Sequence, residues 1–232
     1  MQLQEYLARK KQQTEPLRGA RAQFCAECRN PALTCYCRHL RSFDPGIRFA
    51  ILIHWREAQK RIATGRLAHR CLKNSLLLSG YDYTDHEKVN ELIADPALHC
   101  VVLYPGEGSV NLSERSEEER GALFPPEKEL VVFVIDGTWI TARKTMQRSQ
   151  NLSRLPRISF LPPRPSRFRV RKQPKAECYS TIEAVHHTIE LLGNVRGFDV
   201  NSRRHDRLLD VFDKVVEQRL ELSITRQRHH RP

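Results

Sequence analysis

The sequence predicts an α/β fold, in which strands and helices alternate along a chain of 232 residues. Residues 130–135 form an unbroken apolar run in which three of the six residues are valine. Valine is stiff about χ1, which favours a strand, and so short an apolar run is typical of a strand buried on both faces. Two earlier runs, residues 48–55 and 99–106, have the same character. The length suits one such domain with a small appendage.

The charge balance indicates a nucleic-acid partner. The chain carries 39 lysines and arginines against 27 acidic residues, a net charge of +12 at pH 7. Such an excess suits an anionic partner. No apolar run approaches the length of a membrane span, and the N-terminus lacks the apolar core of a signal peptide. We therefore expect a cytoplasmic protein without a membrane partner, and nothing in the sequence implies a protein partner.

Four of the seven cysteines cluster in a pattern typical of a metal site. Cys25 and Cys28 form one pair, Cys35 and Cys37 form the other, and six residues separate the pairs. A reducing compartment disfavours disulfides, and four thiolates this close can complete a tetrahedral zinc shell. Because four protein ligands leave no open position, this zinc would be structural. His39 could replace one ligand, and four unrelated cysteines are the alternative.

The chain divides into four predicted parts. These are an N-terminal helix and linker at 1–21, a zinc-binding element at 22–42, the main α/β domain at 43–224 and a disordered basic tail at 225–232. Residues 113–120 are interpreted as a solvated connection. Ser180 and Glu183 form a capping box that explains both residues structurally. Helices are predicted at residues 1–13, 66–79, 140–150, 180–192 and 204–222, and a short strand at 157–161.

Asp136 follows the strand at 130–135 and precedes a predicted helix. In α/β proteins, ligand sites gather at the carboxyl ends of strands, so Asp136 is a candidate site residue. The alternative is structural: Asp136 or Thr138 caps the helix, and Trp139 belongs to the core. Position alone does not choose between these two interpretations.

Two further turns are candidate ligand contacts. Thr64 and Gly65 precede a predicted helix and could present backbone N–H groups to an anion, although a plain helix start explains them equally well. Tyr104, Pro105 and Gly106 end a predicted strand. The glycines of that turn lack the third glycine of a dinucleotide fingerprint, but the loop could still approach a ligand closely.

Two basic segments follow the strand at 130–135. The predicted helix after it carries Arg143, Lys144 and Arg148. Residues 162–175, here called the basic arm, have no acidic residue and contain four prolines, which prevent a regular helix. Phe168 is the aromatic residue among its cations. A dense extended cationic segment suits a nucleic-acid backbone, whereas a solvated face is the alternative. The cations of the arm are Arg164, Arg167, Arg169, Arg171, Lys172 and Lys175.

Residues 136–139 match the Asp-x-Thr-Trp signature of the DTW-domain family. The cysteine cluster agrees with this resemblance. Residues 64–67 resemble the family's Thr-Asn-Thr-Gly segment, with Ala63 in place of asparagine. Residues 180–184 resemble its Ser-Thr-x-Glu-Ala block. The resemblance covers residues 25–197, and the sequence is similar to bacterial tRNA-uridine aminocarboxypropyltransferases.

This resemblance implies an activity and a fold. Family members transfer the 3-amino-3-carboxypropyl group of S-adenosylmethionine to N3 of a tRNA uridine and release methylthioadenosine. Bacterial relatives favour the variable loop, whereas some relatives elsewhere act in the D-loop. The family is distantly similar to SPOUT-like enzymes. That similarity implies a mostly parallel sheet flanked by helices, with a trefoil-knotted cofactor pocket in the C-terminal half.

The resemblance also implies roles for individual residues. Asp136 would accept the uridine N3 proton or hold the base edge, and the two roles stay open. Thr138 would bind the cofactor carboxylate or cap its helix, and Trp139 would stack on a base or bury the sulfonium. The remaining residues of the implied cofactor pocket are Thr64, Gly65, Tyr104, Pro105, Gly106, Thr181 and Glu183.

Two other functions are compatible with the sequence. A methyltransferase could use the same donor, and its by-product would be S-adenosylhomocysteine instead of methylthioadenosine. A non-catalytic zinc-containing RNA-binding protein would explain the charge and the cysteines. It would leave Asp136, at the end of a buried strand, without an explanation.

Overall fold

The computed structural model describes residues 24–28, 30–60, 62–170 and 178–229, without the side chains of Leu33 and 222–229. The chain divides into two compact units, one ending at Arg38 and one beginning at His39. The predicted boundary was residue 42, and the predicted helix at 1–13 lies outside the described residues. Among the helices described, none combines the length and the apolar character that a membrane span requires.

The smaller unit is built from tight turns. Phe24 and Pro31 form an antiparallel bridge, and the N–H of Cys25 donates to the carbonyl of Asn30 at 2.9 Å. A 3-10 helix follows at Ala32–Thr34, and another at Cys37–His39 crosses the boundary. These turns bring cysteines that are close in sequence close together in space.

The larger unit is organised around a six-stranded sheet with the order β2-β1-β5-β3-β6-β4. All paired strands are parallel, as predicted. The strand at the centre, β5, contains the apolar run from which the fold was predicted. The strand order does not decide whether the chain forms a knot, which stays a prediction. The strands are β1 Arg48–His54, β2 Leu76–Gly80, β3 Leu98–Leu103, β4 Ser109–Asn111, β5 Glu129–Asp136 and β6 Arg157–Ser159.

Helices flank this sheet. They are α1 Trp55–Ala58, α2 Thr64–Cys71, α3 Glu87–Ala94, α4 Glu117–Ala122, α5 Trp139–Arg148, α6 Gln150–Ser153, α7 Thr181–Leu192 and α8 Arg207–His229. Short 3-10 helices occur at Leu112–Glu114, Asn194–Arg196, Val200–Ser202 and Arg204–Asp206.

Strand β5 is buried on both faces. Val131 and Phe133 pack in one apolar cluster with Val89 of α3 and Met146 of α5. Side chains alternate along a strand, so Val132 points to the other face. Helix α7 contacts β5, α2 contacts β1, and both helices contact α8. Because every strand runs in the same direction, the carboxyl ends of β1, β3 and β5 meet at one edge of the sheet.

The predicted helix at 66–79 was wrong in its second half. Helix α2 ends at Cys71, and Leu76–Gly80 forms strand β2, which pairs with β1. Asn74 has a positive φ of 58°, which separates the two elements. Consecutive leucines carry no clear periodicity, so residues 76–78 fitted either a helix or a strand.

Other parts of the prediction also need correction. Residues 113–120 are not a plain connection, since they include part of α4, whose capping box joins Ser116 and Glu119. Strand β4 and helix α3 had no predicted counterpart. The last helix begins at Arg207 and extends to His229, so it includes most of the segment predicted to be a disordered tail. Residues 230–232 lie outside the described residues.

Candidate active site

Asp136 connects three elements at the carboxyl edge of the sheet. It ends β5, and its side chain is almost fully buried. Its Oδ1 accepts a hydrogen bond from the hydroxyl of Thr64 at 3.3 Å and another from the hydroxyl of Thr181 at 2.5 Å. These threonines are the first residues of α2 and α7. One carboxylate therefore fixes the starts of two helices against the central strand.

Gly65 makes this arrangement possible. A Cβ atom built on Gly65 would lie 2.6 Å from Oδ2 of Asp136, closer than carbon and oxygen approach without displacement. The backbone of α2 can therefore lie against the carboxylate only because residue 65 has no side chain. Burial raises the pKa of Asp136 above its ordinary value, and the hydrogen bond from Thr181 opposes that rise.

A cleft of about 930 Å³ opens beside this carboxylate. Thr64 and Thr181 line the cleft, whereas Asp136 lies behind them and is not part of its wall. The walls are mainly apolar, with hydroxyl groups at a few positions, which is typical of a small-molecule site. The other residues that line it include Leu103, Tyr104, Pro105, Val134, Ile135, Gly137, Thr138, Trp139, Ile140, Arg143, Ser159, Phe160, Leu161 and Tyr179.

Large apolar side chains are exposed around this cleft. Trp139 is 41% exposed, Ile140 62% and Leu161 60%. Exposed apolar residues that lie together mark interaction surfaces more often than single ones do. The structural alternative that placed Trp139 in the core was therefore wrong.

Thr138 caps a helix and also lines the cleft. Its Oγ1 accepts a hydrogen bond from the N–H of Thr141 at 3.1 Å, so it caps α5. It also lines the cleft. A Cβ on the neighbouring Gly137 would lie 2.5 Å from Oγ1 of Thr141, so the cap leaves no space for a side chain there.

Comparison with known proteins identifies the family. The DTW domain matches residues 22–220, most of the chain. The chain belongs to the DTW-domain family. A relative from Drosophila melanogaster is 25% identical over 174 residues, which cover 72% of this chain and 66% of the relative. A relative from Mus musculus is 25% identical over 173 residues, which cover 72% of this chain and 56% of the relative.

Both relatives carry the name tRNA-uridine aminocarboxypropyltransferase 2, as does a relative from Macaca fascicularis that is 25% identical over 179 residues. The chain thus matches between 56% and 66% of the length of these curated relatives. No solved structure matches the chain significantly.

Gly137, Thr138 and Trp139 of the DTW signature form one side of the cleft, and most of the predicted pocket lies near them. Thr64 and Gly65 adjoin Asp136, and Tyr104 and Pro105 line the cleft from the end of β3. Burial raises the pKa of Tyr104, so its phenol stays protonated at neutral pH. Gly106, by contrast, is exposed and does not line the cleft.

Glu183 faces away from the cleft and holds the basic arm. Its carboxylate accepts hydrogen bonds from the N–H and hydroxyl of Ser180 at 2.9 and 2.6 Å. It also accepts from the hydroxyl of Ser166 at 2.7 Å and the N–H of Arg167 at 2.6 Å. Four donors use the carboxylate fully, so its position is explained by the arm and the helix start.

The predicted basic residues lie in different surroundings. Arg143 lines the cleft, and Lys144 is exposed on the same helix. Arg164 and Arg169 are exposed, whereas Arg167 pairs with Asp213 at 2.8 Å. Arg171 and Lys172 lie outside the described residues, as does Lys175.

Phe168 is not available to a nucleobase in this arrangement. It is 6% exposed, and its ring lies 5.3 Å from that of Phe212. The aromatic residue of the basic arm therefore anchors the arm to α8 and lines the inner part of the cleft. Phe168 lies among cations in the sequence, but its side chain is buried, unlike those of Arg164 and Arg169.

Sequence reasoning missed several aromatic and apolar contacts. Phe160 and Leu161 line the cleft and directly follow β6, so the rule that sites lie at strand ends could have identified them. A second exposed tryptophan, Trp55, lies beneath the guanidinium of Arg56 at 4.9 Å. The guanidinium of Arg148 lies 4.8 Å above the ring of Tyr81.

The four cysteines of the smaller unit form a cluster that fits a metal ion. Their sulfur atoms all lie within 4.8 Å of one another. The Sγ atoms of Cys25 and Cys37 are 3.7 Å apart, and those of Cys28 and Cys35 are also 3.7 Å apart. Tetrahedral bonds of about 2.3 Å to zinc require sulfur atoms about 3.8 Å apart. His39 does not belong to this cluster.

We expect Gly65→Ala to lower the free energy of unfolding by about 1–3 kcal/mol, because the new methyl group must displace Asp136. Gly121→Ala is the matched control, since a Cβ there meets Val195 at an ordinary 3.6 Å. It should be neutral or slightly stabilising, because alanine favours a helix. Urea unfolding of both variants checks this, and equal stability of Gly65→Ala and the parent would contradict the close contact.

Proposed function

We propose that this protein is a tRNA-modifying transferase that moves the 3-amino-3-carboxypropyl group of S-adenosylmethionine to N3 of a tRNA uridine, with methylthioadenosine as by-product. The observation that carries the proposal is the cleft built on the DTW signature, together with the names of the curated relatives. The target in the variable loop and the location in the cytoplasm, both predicted above, belong to this proposal.

The reaction sets a clear demand on the cleft. The sulfonium of the donor makes each attached carbon electrophilic, and the carbon aligned with the nucleophile is the one transferred. The N3–Cγ bond forms while the Cγ–S bond breaks, and its electron pair stays on sulfur. The N3 proton leaves to solvent or to a base. The protein must therefore aim Cγ, and not the methyl group, at N3, which is a matter of orientation.

The contacts of Asp136 support a positioning role for this residue. The carboxylate is buried, and the two threonine hydroxyls that donate to it lie between it and the cleft. A hydroxyl whose proton is committed to a carboxylate presents its oxygen as an acceptor. Thr64 and Thr181 thus offer acceptors to the cleft, and these suit the ammonium group of the aminocarboxypropyl chain. In this proposal Asp136 orients both hydroxyls and does not itself take the N3 proton.

The rim of the cleft suits flat rings and a phosphate chain. Trp139 is exposed beside Tyr104 and Tyr179, which line the same cleft, so an adenine or uracil ring could stack there. The exposed cations Arg143 and Lys144 on α5 and Arg164 and Arg169 on the arm can contact tRNA phosphates. A uridine whose N3 is paired or stacked would have to turn outward to enter.

We also propose that zinc occupies the cluster of Cys25, Cys28, Cys35 and Cys37. Thiolates are the donors that structural zinc prefers, and the measured sulfur separations fit a tetrahedral shell. Four protein ligands leave no position for a substrate, so this zinc would stabilise the smaller unit.

The decisive experiment incubates the purified chain with S-adenosylmethionine and unmodified tRNA and then analyses nucleosides and by-products by mass spectrometry. We expect 3-(3-amino-3-carboxypropyl)uridine and methylthioadenosine in equal amounts. Methyluridine with S-adenosylhomocysteine would replace the proposal by a methyltransferase. Unmodified tRNA that still binds the protein would indicate a non-catalytic RNA-binding protein.

For the threonine acceptors, we expect Thr181→Val to raise the KM for S-adenosylmethionine at least tenfold, because valine keeps the shape but removes the hydroxyl. Thr181→Ser is the matched control, retains the hydroxyl and should stay close to the parent. Steady-state kinetics with saturating tRNA separate KM from kcat. If Thr181→Val and Thr181→Ser behave alike, the hydroxyl does not contact the donor.

For the cysteine cluster, we expect Cys28→Ser/Cys35→Ser to lose one zinc ion per chain and to melt at a lower temperature, since structural metal contributes to folding. Cys178→Ser is the control, because that cysteine lies outside the cluster. Elemental analysis after dialysis measures the zinc. Unchanged zinc content in the double variant would exclude the four-thiolate site.

A further inference from the structure

A second group of metal-binding side chains lies far along the chain from the cysteines. His186 and Glu190 stand one turn apart on α7, and His205 and Asp206 belong to the 3-10 helix before α8. One ligand atom from each of the four lies within 4.8 Å of the others. Two imidazoles and two carboxylates form a donor set that suits zinc and similar divalent transition-metal ions.

The surroundings of His205 are the observation that indicates a metal ion. Its side chain has no exposed surface, and neither ring nitrogen has a hydrogen-bond partner among the residues that the structure describes. Its Nε2 lies 3.6 Å from Oε1 of Glu190 and 3.8 Å from Oδ1 of Asp206. A buried polar group without a partner is costly, and a metal ion between these three atoms would give Nε2 a partner.

We propose that His186, Glu190, His205 and Asp206 bind a divalent metal ion of the zinc class. Tetrahedral bonds of 2.0–2.1 Å place ligand atoms about 3.3–3.4 Å apart. The separations of 3.6 and 3.8 Å around His205 are close to that value. His186 Nε2 and Asp206 Oδ1 are 2.8 Å apart in a hydrogen bond, which metal binding would replace.

The neighbouring groups are compatible with the ion. His187 Nδ1 lies 3.0 Å from Oε2 of Glu190, which leaves Oε1 for the metal. The carboxylate of Glu190 can therefore bond His187 through one oxygen and a metal ion through the other.

The guanidinium of Arg203 donates hydrogen bonds to the carboxylates of Asp206 and Glu190, so it competes with a metal ion for them. Its Nε donates to Oδ2 of Asp206 at 2.8 Å, its Nη2 to Oδ1 at 2.6 Å, and its Nη1 to Oε1 of Glu190 at 3.1 Å. The side chain is 52% exposed, so its head can move outward while Nε keeps Oδ2. Such an outer hydrogen bond to a ligating carboxylate is common at metal sites.

A second, smaller cleft borders these side chains and gives the ion access to them. This cleft of about 280 Å³ is lined by His186, Glu190, Arg203 and Asp206. The four protein ligands leave no open position, so the metal would be structural. It would join α7 to the start of α8, and α7 is the helix whose first residue donates to Asp136.

Zinc titration of the full chain, with elemental analysis after dialysis, tests the second site. We expect two zinc ions per chain in the parent and one in Glu190→Gln and His205→Asn. Asp210→Asn is the matched control, because Asp210 lines the same cleft but is not one of the four ligands, and it should retain two. The inference does not depend on transferase activity.

Cobalt substitution distinguishes the two sites and guards against misfolding. In Cys28→Ser/Cys35→Ser, we expect one bound Co²⁺ with visible tetrahedral bands and no thiolate charge-transfer band. Adding Glu190→Gln to that variant should abolish this ion and any rise in Tm on zinc addition. A Cys28→Ser/Cys35→Ser variant that binds no Co²⁺, or a Glu190→Gln variant that binds as many zinc ions as the parent, would overturn the second site.

Discussion

The contact between Asp136 and the starts of two helices is the constraint on which the cleft depends. A buried carboxylate needs donors, and here two threonine hydroxyls supply them at the cost of placing α2 and α7 beside β5. Gly65 permits the approach, since any side chain there would meet Oδ2. Both hydroxyls then lie on the wall of the cleft, and both are oriented by a carboxylate that does not itself line it.

The local features of the fold were readable because each depends on neighbours in sequence. The apolar run that became β5, the cap at Thr138 and the cysteine pairs are all short patterns, and the structure retains them. Strand β2 was misread because three successive leucines suit either a helix or a strand. Its pairing with β1 decides the outcome, and pairing is a property of the whole sheet.

Most residues of the candidate site could be predicted from the sequence, but their arrangement in space could not. Thr64 and Thr181 lie 72 and 45 residues from Asp136 in sequence, so no spacing indicates that both would donate to one oxygen. Glu183 stands two residues from Thr181, yet it points to the basic arm and accepts from Ser166 and Arg167. Side chains at successive positions of a helix point in different directions, so Thr181 lines the cleft while Glu183 contacts the basic arm.

In helix α7, apolar packing and polar contacts have different roles. Its residues Ile182, Val185 and Ile189 are buried and stabilise the fold by removing apolar surface from water. Apolar packing alone tolerates small rotations and shifts of the helix against the sheet. Hydrogen bonds are directional, and side chains form them at the start and at the middle of this helix. Thr181 meets Asp136 at the first turn, and the group around His186 meets the start of α8. A helix held by directional contacts at its start and at its middle places the hydroxyl of Thr181 at a defined position on the wall of the cleft.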